Sequence, residues 1–240
     1  MAKLDAVLEE LVTANRVLAH EGVVDSFGHV SVRHPDNPQR FLLSRARAPD
    51  CIEVEDIMEF TLEGEPVNPQ GRNPYLERFI HGAIYEARED VQSVVHNHSP
   101  SVIPFGITDH TLKPVLHMGA SIGHEVHTWD SHDHFGDTDL LVSSMEMGRD
   151  LAQFLGHGRT ALMRGHGAVV VGRNIRHAVF VSIYLEVNAK LQMQAMGLGN
   201  VKFLTPGEVD KIIGRTASFT VNRAWENWCR RAERPVRPEP

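Results

Sequence analysis

The run Val91-Gln92-Ser93-Val94-Val95-His96-Asn97-His98-Ser99 closes a valine-rich segment with two histidines two positions apart. Side chains alternate faces along a strand, so His96 and His98 point one way and Asn97 the other. Two imidazoles emerging together from the end of a buried strand can share one divalent cation through a ring nitrogen each. Two ligands hold an ion poorly, and the rest of the chain has to supply a third ligand and a group that moves protons. The alternative for an isolated His-x-His is a polar strand end.

Working outward, the segment before this strand predicts a helix. Asn73 is placed to cap it and Pro74 to occupy its first position, with Leu76, Ile80, Ala83, Ile84 and Ala87 forming the buried stripe and an end before Asp90. Glu77 then falls in or just after the first turn, off the stripe. Upstream, an amphipathic helix carries Leu4, Leu8, Leu11, Asn15 and Leu18 and ends near Glu21 and Gly22. Two hairpins follow, one pairing 27–33 with 40–44 across a Pro- and Asn-rich turn and one spanning 57–67 with a turn at 63–65. Downstream, 100–139 is weakly periodic, as functional loops and subunit contacts are. Its segment 128–134 holds a second His-x-His (His132, His134) beside Ser131 and Asp133. It reads as a loop, because nothing there places a serine on the rigid turn that a nucleophile needs.

A helix over 143–155 precedes two strands within 160–172, joined by Gly165-His166-Gly167, where flanking glycines let the backbone turn tightly and bring His166 close to whatever lies opposite. His166 is the expected third ligand. Asn174 caps a long helix ending near Gly197, and further helices are expected at 206–214 and 222–231. There is no internal repeat. One catalytic domain over 1–232 is expected, with a frayed tail over 233–240.

Composition narrows the function classes. With 240 residues, 42% of them hydrophobic, the chain can bury one sizeable core, and a net charge of -7 without a dense Lys/Arg run argues against nucleic-acid and anionic-membrane partners. Cys51 and Cys229 lack the spacing of a redox pair or a zinc knuckle, which suits a reducing compartment, with the cytoplasm as the expectation. Met1 to Glu10 is charged and helical in pattern, unlike a secretory leader, and no apolar run reaches membrane-spanning length.

Three imidazoles at strand ends leave coordination positions open, as catalytic rather than structural sites do. A substrate oxygen bound there has its developing negative charge stabilised when a neighbouring bond breaks. Glu77 is the expected proton-transfer group, its alternative being a surface carboxylate favoured by the positive end of its helix.

Taken jointly, Gly28-His29-Val30-Ser31-Val32-Arg33, Glu77-Arg78-Phe79 with Ala83-Ile84-Tyr85, Val94-Val95-His96-Asn97-His98-Ser99 and Gly165-His166-Gly167 resemble the class II aldolase/adducin family over about residues 4–198. The resemblance implies a three-layer α/β/α fold around a mixed, largely antiparallel sheet. It assigns metal binding to His96, His98 and His166, and acid/base action or additional metal ligation to Glu77. It also implies a cyclic homotetramer with sites at subunit interfaces.

Departures from the sugar-phosphate aldolases are informative. Their Gly-Asn-x-Ser is here Gly-His-Val-Ser, with His29 in place of Asn. Their turn of small phosphate-cradling donors is here Ser44-Arg45-Ala46-Arg47-Ala48-Pro49. Tyr75-Leu76 stand before Glu77 in place of serines. Arg45 and Arg47, if not merely loop charges, suit planar carboxylates. The sequence is similar to the branch that decarboxylates hydroxylated aromatic or pyridine dicarboxylates and ring-cleavage semialdehydes. The resemblance therefore implies a lyase, a carboxy-lyase before an aldehyde-lyase. It would use Glu77 and His29 for proton delivery, Ser44, Arg45 and Arg47 for substrate, and zinc or manganese, or else iron or cobalt, as the ion. The competing expectations are an aldolase acting on a sugar phosphate or hydroxy-keto acid, and a non-catalytic binding module.

Overall fold

The computed structural model describes residues 2–216 and 218–233. Of the tail expected over 233–240, only Glu233 lies among the described residues. The chain runs α1 (Ala2–His20), β1 (His29–Arg33), β2 (Arg40–Ser44), β3 (Ile57–Thr61), β4 (Pro66–Val67), α2 (Arg78–Ala87), β5 (Ser93–Asn97), β6 (Thr128–Trp129), α3 (His132–Phe135), α4 (Met145–Leu155), β7 (Thr160–Met163), β8 (Gly167–Gly172), α5 (Ile175–Leu198), α6 (Pro206–Arg215) and α7 (Ser218–Arg231), with short 3-10 turns in the loops. The strands form one sheet in the order β4-β3-β2-β1-β5-β8-β7-β6. Every neighbouring pair is antiparallel except β6 with β7.

Period-two alternation sorts the sheet into two faces. Val30, Val32, Leu42, Val95, Ala168 and Val170 pack with α1, α5 and α7. Phe41, Leu43, Val94, Val169 and Val171 pack with α2 and α4 on the other side. This is the expected three-layer α/β/α architecture around a mixed, largely antiparallel sheet. His96 alternates with Val95 and so faces the α2/α4 side. Directly across the ladder sits His29, the Cα partner of His96.

Three elements differ from the sequence expectation. The second helix begins at Arg78, not Pro74, because the preceding residues are used in sheet-like pairing. The Asn73 carbonyl accepts from the Ala46 amide at 2.8 Å, and Pro74 forms a β-bridge with Arg45. Glu77 becomes the N-cap, while Leu76 and Ala87, assigned to the buried stripe, are exposed. The segment 128–134 is not all loop. Thr128–Trp129 adds an edge strand beside β7, anchored by the buried Trp129 ring, whose indole N–H donates to Asp150 Oδ2 at 2.7 Å. The last helix starts four residues early, at Ser218, which buries Val221 against the core along with Trp225 and Trp228.

The β7–β8 turn is fixed by close backbone approach. Gly165 has φ +66°, a conformation glycine adopts without strain. A Cβ on Gly167 would lie 2.1 Å from the Asn97 carbonyl oxygen and 3.0 Å from His98 Cδ2. Gly167→Ala is therefore expected to destabilise the fold by about 1–3 kcal/mol in urea unfolding, as overpacking does. Gly214→Ala, on α6 with nothing within 4 Å of the added Cβ, should be neutral or stabilising by up to about 1 kcal/mol.

Candidate metal centre

Two strands, one turn and one helix start bring Glu77, His96, His98 and His166 together. One ligand atom from each lies within 4.8 Å of all the others. Nε2 of His96 is 3.0 Å from Nε2 of His98, and Oε2 of Glu77 is 3.4 Å from His96 Nε2 and 3.5 Å from His166 Nε2. Donors about 2.1 Å from one tetrahedral ion would stand about 3.4 Å apart, so these spacings fit a divalent cation.

The outer contacts choose which nitrogens are free. His96 Nδ1–H donates to the Ala168 carbonyl at 3.2 Å, and His166 Nδ1–H to the Leu140 carbonyl at 2.9 Å. Each bond keeps the ring proton on Nδ1 and turns a lone pair on Nε2 into the cluster, the usual outer support of a metal-binding histidine. The segment 140–142 braces the centre twice. Leu140 takes φ +66°, rare for a side chain of its kind, and two residues on the Val142 amide donates to Glu77 Oε1 at 3.1 Å. Sequence periodicity carries no signal for this irregular segment.

Charge accumulates accordingly. Burial works to raise the Glu77 pKa, but His96 and His166 outweigh it and hold the carboxyl far below the ordinary range. Burial lowers His166, yet Glu77 reverses the sign and leaves its pKa raised. Burial, with the neighbouring His96 and His166 rings, brings His98 down to about 4. The site thus combines an anionic carboxylate oxygen with three imidazole nitrogens, of which His98 resists a proton, the donor chemistry of a cation site.

His29 stands beside this centre, its ring centroid 5.2 Å from that of His96 and 4.5 Å from Tyr75. Its Nδ1 lies 2.6 Å from His81 Nε2, and His81 Nδ1 lies 2.6 Å from Ser31 Oγ, which is 2.8 Å from the Tyr85 hydroxyl. Burial, followed by the His81 and His96 rings, pushes the His29 pKa well below its ordinary value; burial likewise brings His81 down to about 3. The sequence reading missed His81. A stripe Glu77, His81, Tyr85 at four-residue spacing was its available signal, obscured by assigning the buried face to the aliphatic residues alone.

Arg45 and Arg47 are linked to His29 through Tyr75, whose hydroxyl donates to the Arg47 carbonyl. Both guanidinium groups grip one buried carboxylate that the sequence did not single out: Arg45 Nε and Arg47 Nη1 lie 2.5 and 2.6 Å from the two oxygens of Asp56. Each arginine side chain keeps 37% exposure, with its other nitrogens uncommitted to Asp56. Ser44, expected to hold substrate, is fully buried at the end of β2, so no surface of it is offered to a ligand. His132 and His134 stay apart from the centre, exposed and paired with Asp137 and Asp150. A cavity of ≈ 710 Å³ opens at the far end of β1 around Arg33, His34 and Arg173, and neither the four clustered residues nor His29, His81, Arg45 or Arg47 line it.

Comparison with known proteins agrees with this fold. Residues 9–193 match the model of the class II aldolase and adducin N-terminal domain. The chain is 34% identical to the decarboxylase tropJ of Talaromyces stipitatus over 90% of both chains. It is 26% identical to the 3,4-dihydroxyphthalate decarboxylase of Arthrobacter keyseri over 91% of both. The solved L-fuculose 1-phosphate aldolase from Glaciozyma antarctica superposes with a TM-score of 0.80 at 23% identity, covering 99% of this chain and 94% of that one, a likeness of fold. The chain belongs to the class II aldolase and adducin family and is a carbon–carbon lyase, the class that its decarboxylase and aldolase relatives share. No helix among the described residues is long and apolar enough to cross a membrane.

The Asp56 clamp has a pH signature. Burial pushes this carboxyl up, but the Glu53 amide and the two arginines outweigh it and bring the pKa from 3.8 down to about 2. A depressed folded-state value stabilises above the unfolded value and loses that contribution as pH falls through the folded one. Asp56→Asn should lower the unfolding free energy by about 1–2 kcal/mol near neutral pH, allowing for screening at the half-exposed arginines. In urea titrations the gap to the parent protein should close between pH 4 and pH 2.

Proposed function

We propose that this protein is a metal-dependent, non-oxidative decarboxylase of a hydroxylated aromatic acid or dicarboxylic acid, with hydroxypyridine and hydroxymuconic-semialdehyde acids as the neighbouring substrate classes. The observation that carries the reading is the Glu77/His96/His98/His166 cluster, connected through His29 and Tyr75 to a clamped pair of arginines. Relatives named as decarboxylases support it. His96, His98 and His166 would hold the divalent ion through Nε2, with Glu77 Oε2 as a fourth donor or as the proton carrier beside it. Imidazole with one carboxylate suits zinc or manganese, and also iron or cobalt. When bound, the ion supplies Lewis acidity to a substrate hydroxyl or oxo oxygen.

The protein's own groups do the rest. Asp56 aligns Arg45 and Arg47 so that a remaining guanidinium edge can take a second substrate carboxylate by paired hydrogen bonds. Glu77 begins as a carboxylate, because the adjoining imidazoles keep its pKa low. It takes the proton of the substrate hydroxyl on binding. The carbon–carboxylate bond then breaks, its electron pair stays with the substrate, and CO₂ leaves. Glu77, with His29 alongside, returns a proton to the vacated carbon. Tyr75 and His29, their ring centroids 4.5 Å apart, would close one side of this space.

Metal analysis of the protein as prepared, followed by chelation, reconstitution with each of the four ions and a panel of hydroxybenzoic and hydroxyphthalic acids monitored for CO₂, tests this reading. Metal and CO₂ release should be lost together on chelation, and together in His96→Ala and His166→Ala. Full turnover after chelation removes the ion from the reaction, and aldehyde release from a sugar phosphate with no CO₂ from any acid makes the protein an aldolase.

We also propose that the protein self-associates as a tetramer with the centre near a subunit boundary. Phe27 and Leu76, neighbours of Gly28-His29 and of Glu77, are 65% and 62% exposed, and apolar side chains of this size gain from being covered. Light scattering after size exclusion should give about four times 26.8 kDa; a monomer at micromolar concentration overturns the assignment.

A further inference from the structure

We propose that the buried row Tyr85–Ser31–His81 sets the hydrogen-bonding direction of His29, so that its ring presents an Nε2–H donor, and not a lone pair, to a substrate at the metal centre. His81 is then a positioning residue. The functional consequence rests on the reading of the site as a decarboxylase centre; the direction of the row does not.

The row follows from two periodicities meeting. Glu77, His81 and Tyr85 recur every four residues and line one stripe of α2 and its cap. His29 and Ser31 alternate on the face of β1 that this stripe covers. Three contacts join them in series: Tyr85 hydroxyl to Ser31 Oγ at 2.8 Å, Ser31 Oγ to His81 Nδ1 at 2.6 Å, and His81 Nε2 to His29 Nδ1 at 2.6 Å. Relative exposure is 1% for Tyr85, 0% for Ser31, 0% for His81 and 3% for His29. Solvent is thus shut out, and a proton facing the wrong way has no outside acceptor.

Each hydroxyl and each neutral imidazole has one proton to give, so the contacts are not independent and the row runs all one way or all the other. The Tyr85 end breaks the tie. Among the described residues, Ser31 Oγ is the one hydrogen-bond partner of its buried phenol oxygen. If Ser31 donated to Tyr85, the buried phenol proton would be left without an acceptor. The satisfied arrangement has Tyr85 donating to Ser31, Ser31 to His81 Nδ1, and His81 Nε2–H to His29 Nδ1. His29 then carries its proton on Nε2, the nitrogen not taken by His81, on a ring tilted against that of His96. A buried, preoriented N–H gains most where negative charge grows on a substrate oxygen. A lone pair at the same place would repel it.

The test pairs a structural readout with kinetics. Protein carrying ¹⁵N-labelled histidine, zinc-loaded, is measured by long-range ¹H–¹⁵N correlation, with the His29 signals assigned by their loss in His29→Asn. The expected result is a parent protein with His29 protonated on Nε2. His81→Leu should keep the parent's metal content and show both ring forms. Its kcat should fall about 100-fold, the scale for one lost preorganised donor, with KM within about threefold of the parent. His81→Gln, whose amide N–H can replace the lost donor, should recover at least tenfold of the loss. A parent protein with His29 protonated on Nδ1 overturns the proposal whether or not any variant folds. So does a His81→Leu protein with full metal content and undiminished kcat. The ¹⁵N measurement needs no substrate, so failure of every acid to release CO₂ would refute the decarboxylase reading and leave the direction of the row to be decided on its own.

Discussion

Electron-rich atoms facing one another at the end of the sheet are the constraint on which the rest depends. Three imidazole nitrogens and a carboxylate oxygen lie within 4.8 Å, and the carbonyls of Ala168 and Leu140 hold two of the rings so that their lone pairs point inward. Such a concentration of donors is costly in a poorly solvated place unless a positive charge sits among them. The fold supports the arrangement from several directions. β5 carries His96, its end carries His98, the β7–β8 turn carries His166, and the cap of α2 carries Glu77. A hydrophobic layer on each side of the sheet keeps these supports in register.

Around the centre, charged and polar side chains answer to polar groups behind them, from a side chain or the main chain. Asp56 sets Arg45 and Arg47, Val142 sets Glu77, and His81 stands behind His29. Rotamer freedom removed by such outer contacts need not be removed again when substrate binds, which is how a site becomes preorganised. In the proposed function the Asp56 clamp would set the carboxylate subsite, since two guanidinium groups held by one carboxylate suit planar anions. The family membership, the lyase class and the decarboxylases among the relatives are consistent with that proposal.

Regular periodicity made the scaffold legible before any coordinates. The hairpins over 27–44 and 57–67, the strands within 160–172 and the capped helices at Asn174 and Pro206 follow from alternation and from end residues whose effects are local. The start of α2 was misplaced because Asn73-Pro74 is a sound helix opening that long-range pairing with Ala46 and Arg45 overrides. Trp129 was read as loop because a two-residue edge strand leaves no pattern; its indole bond to Asp150 fixes it instead.

By itself the sequence determined that His96 and His98 share a face, that flanking glycines bring His166 close to whatever lies opposite, and that Glu77 lies near the start of a helix that precedes the His strand, since each follows from spacing along a few residues. Only the tertiary structure decided that these groups converge, that Asp56 takes both arginines, that Ser44 is sealed away, and that His81 and the 140–142 segment stand behind the reactive groups. Those facts are distances between residues 9 to 89 positions apart, fixed by how two layers of helix close over one sheet, and no local pattern encodes them.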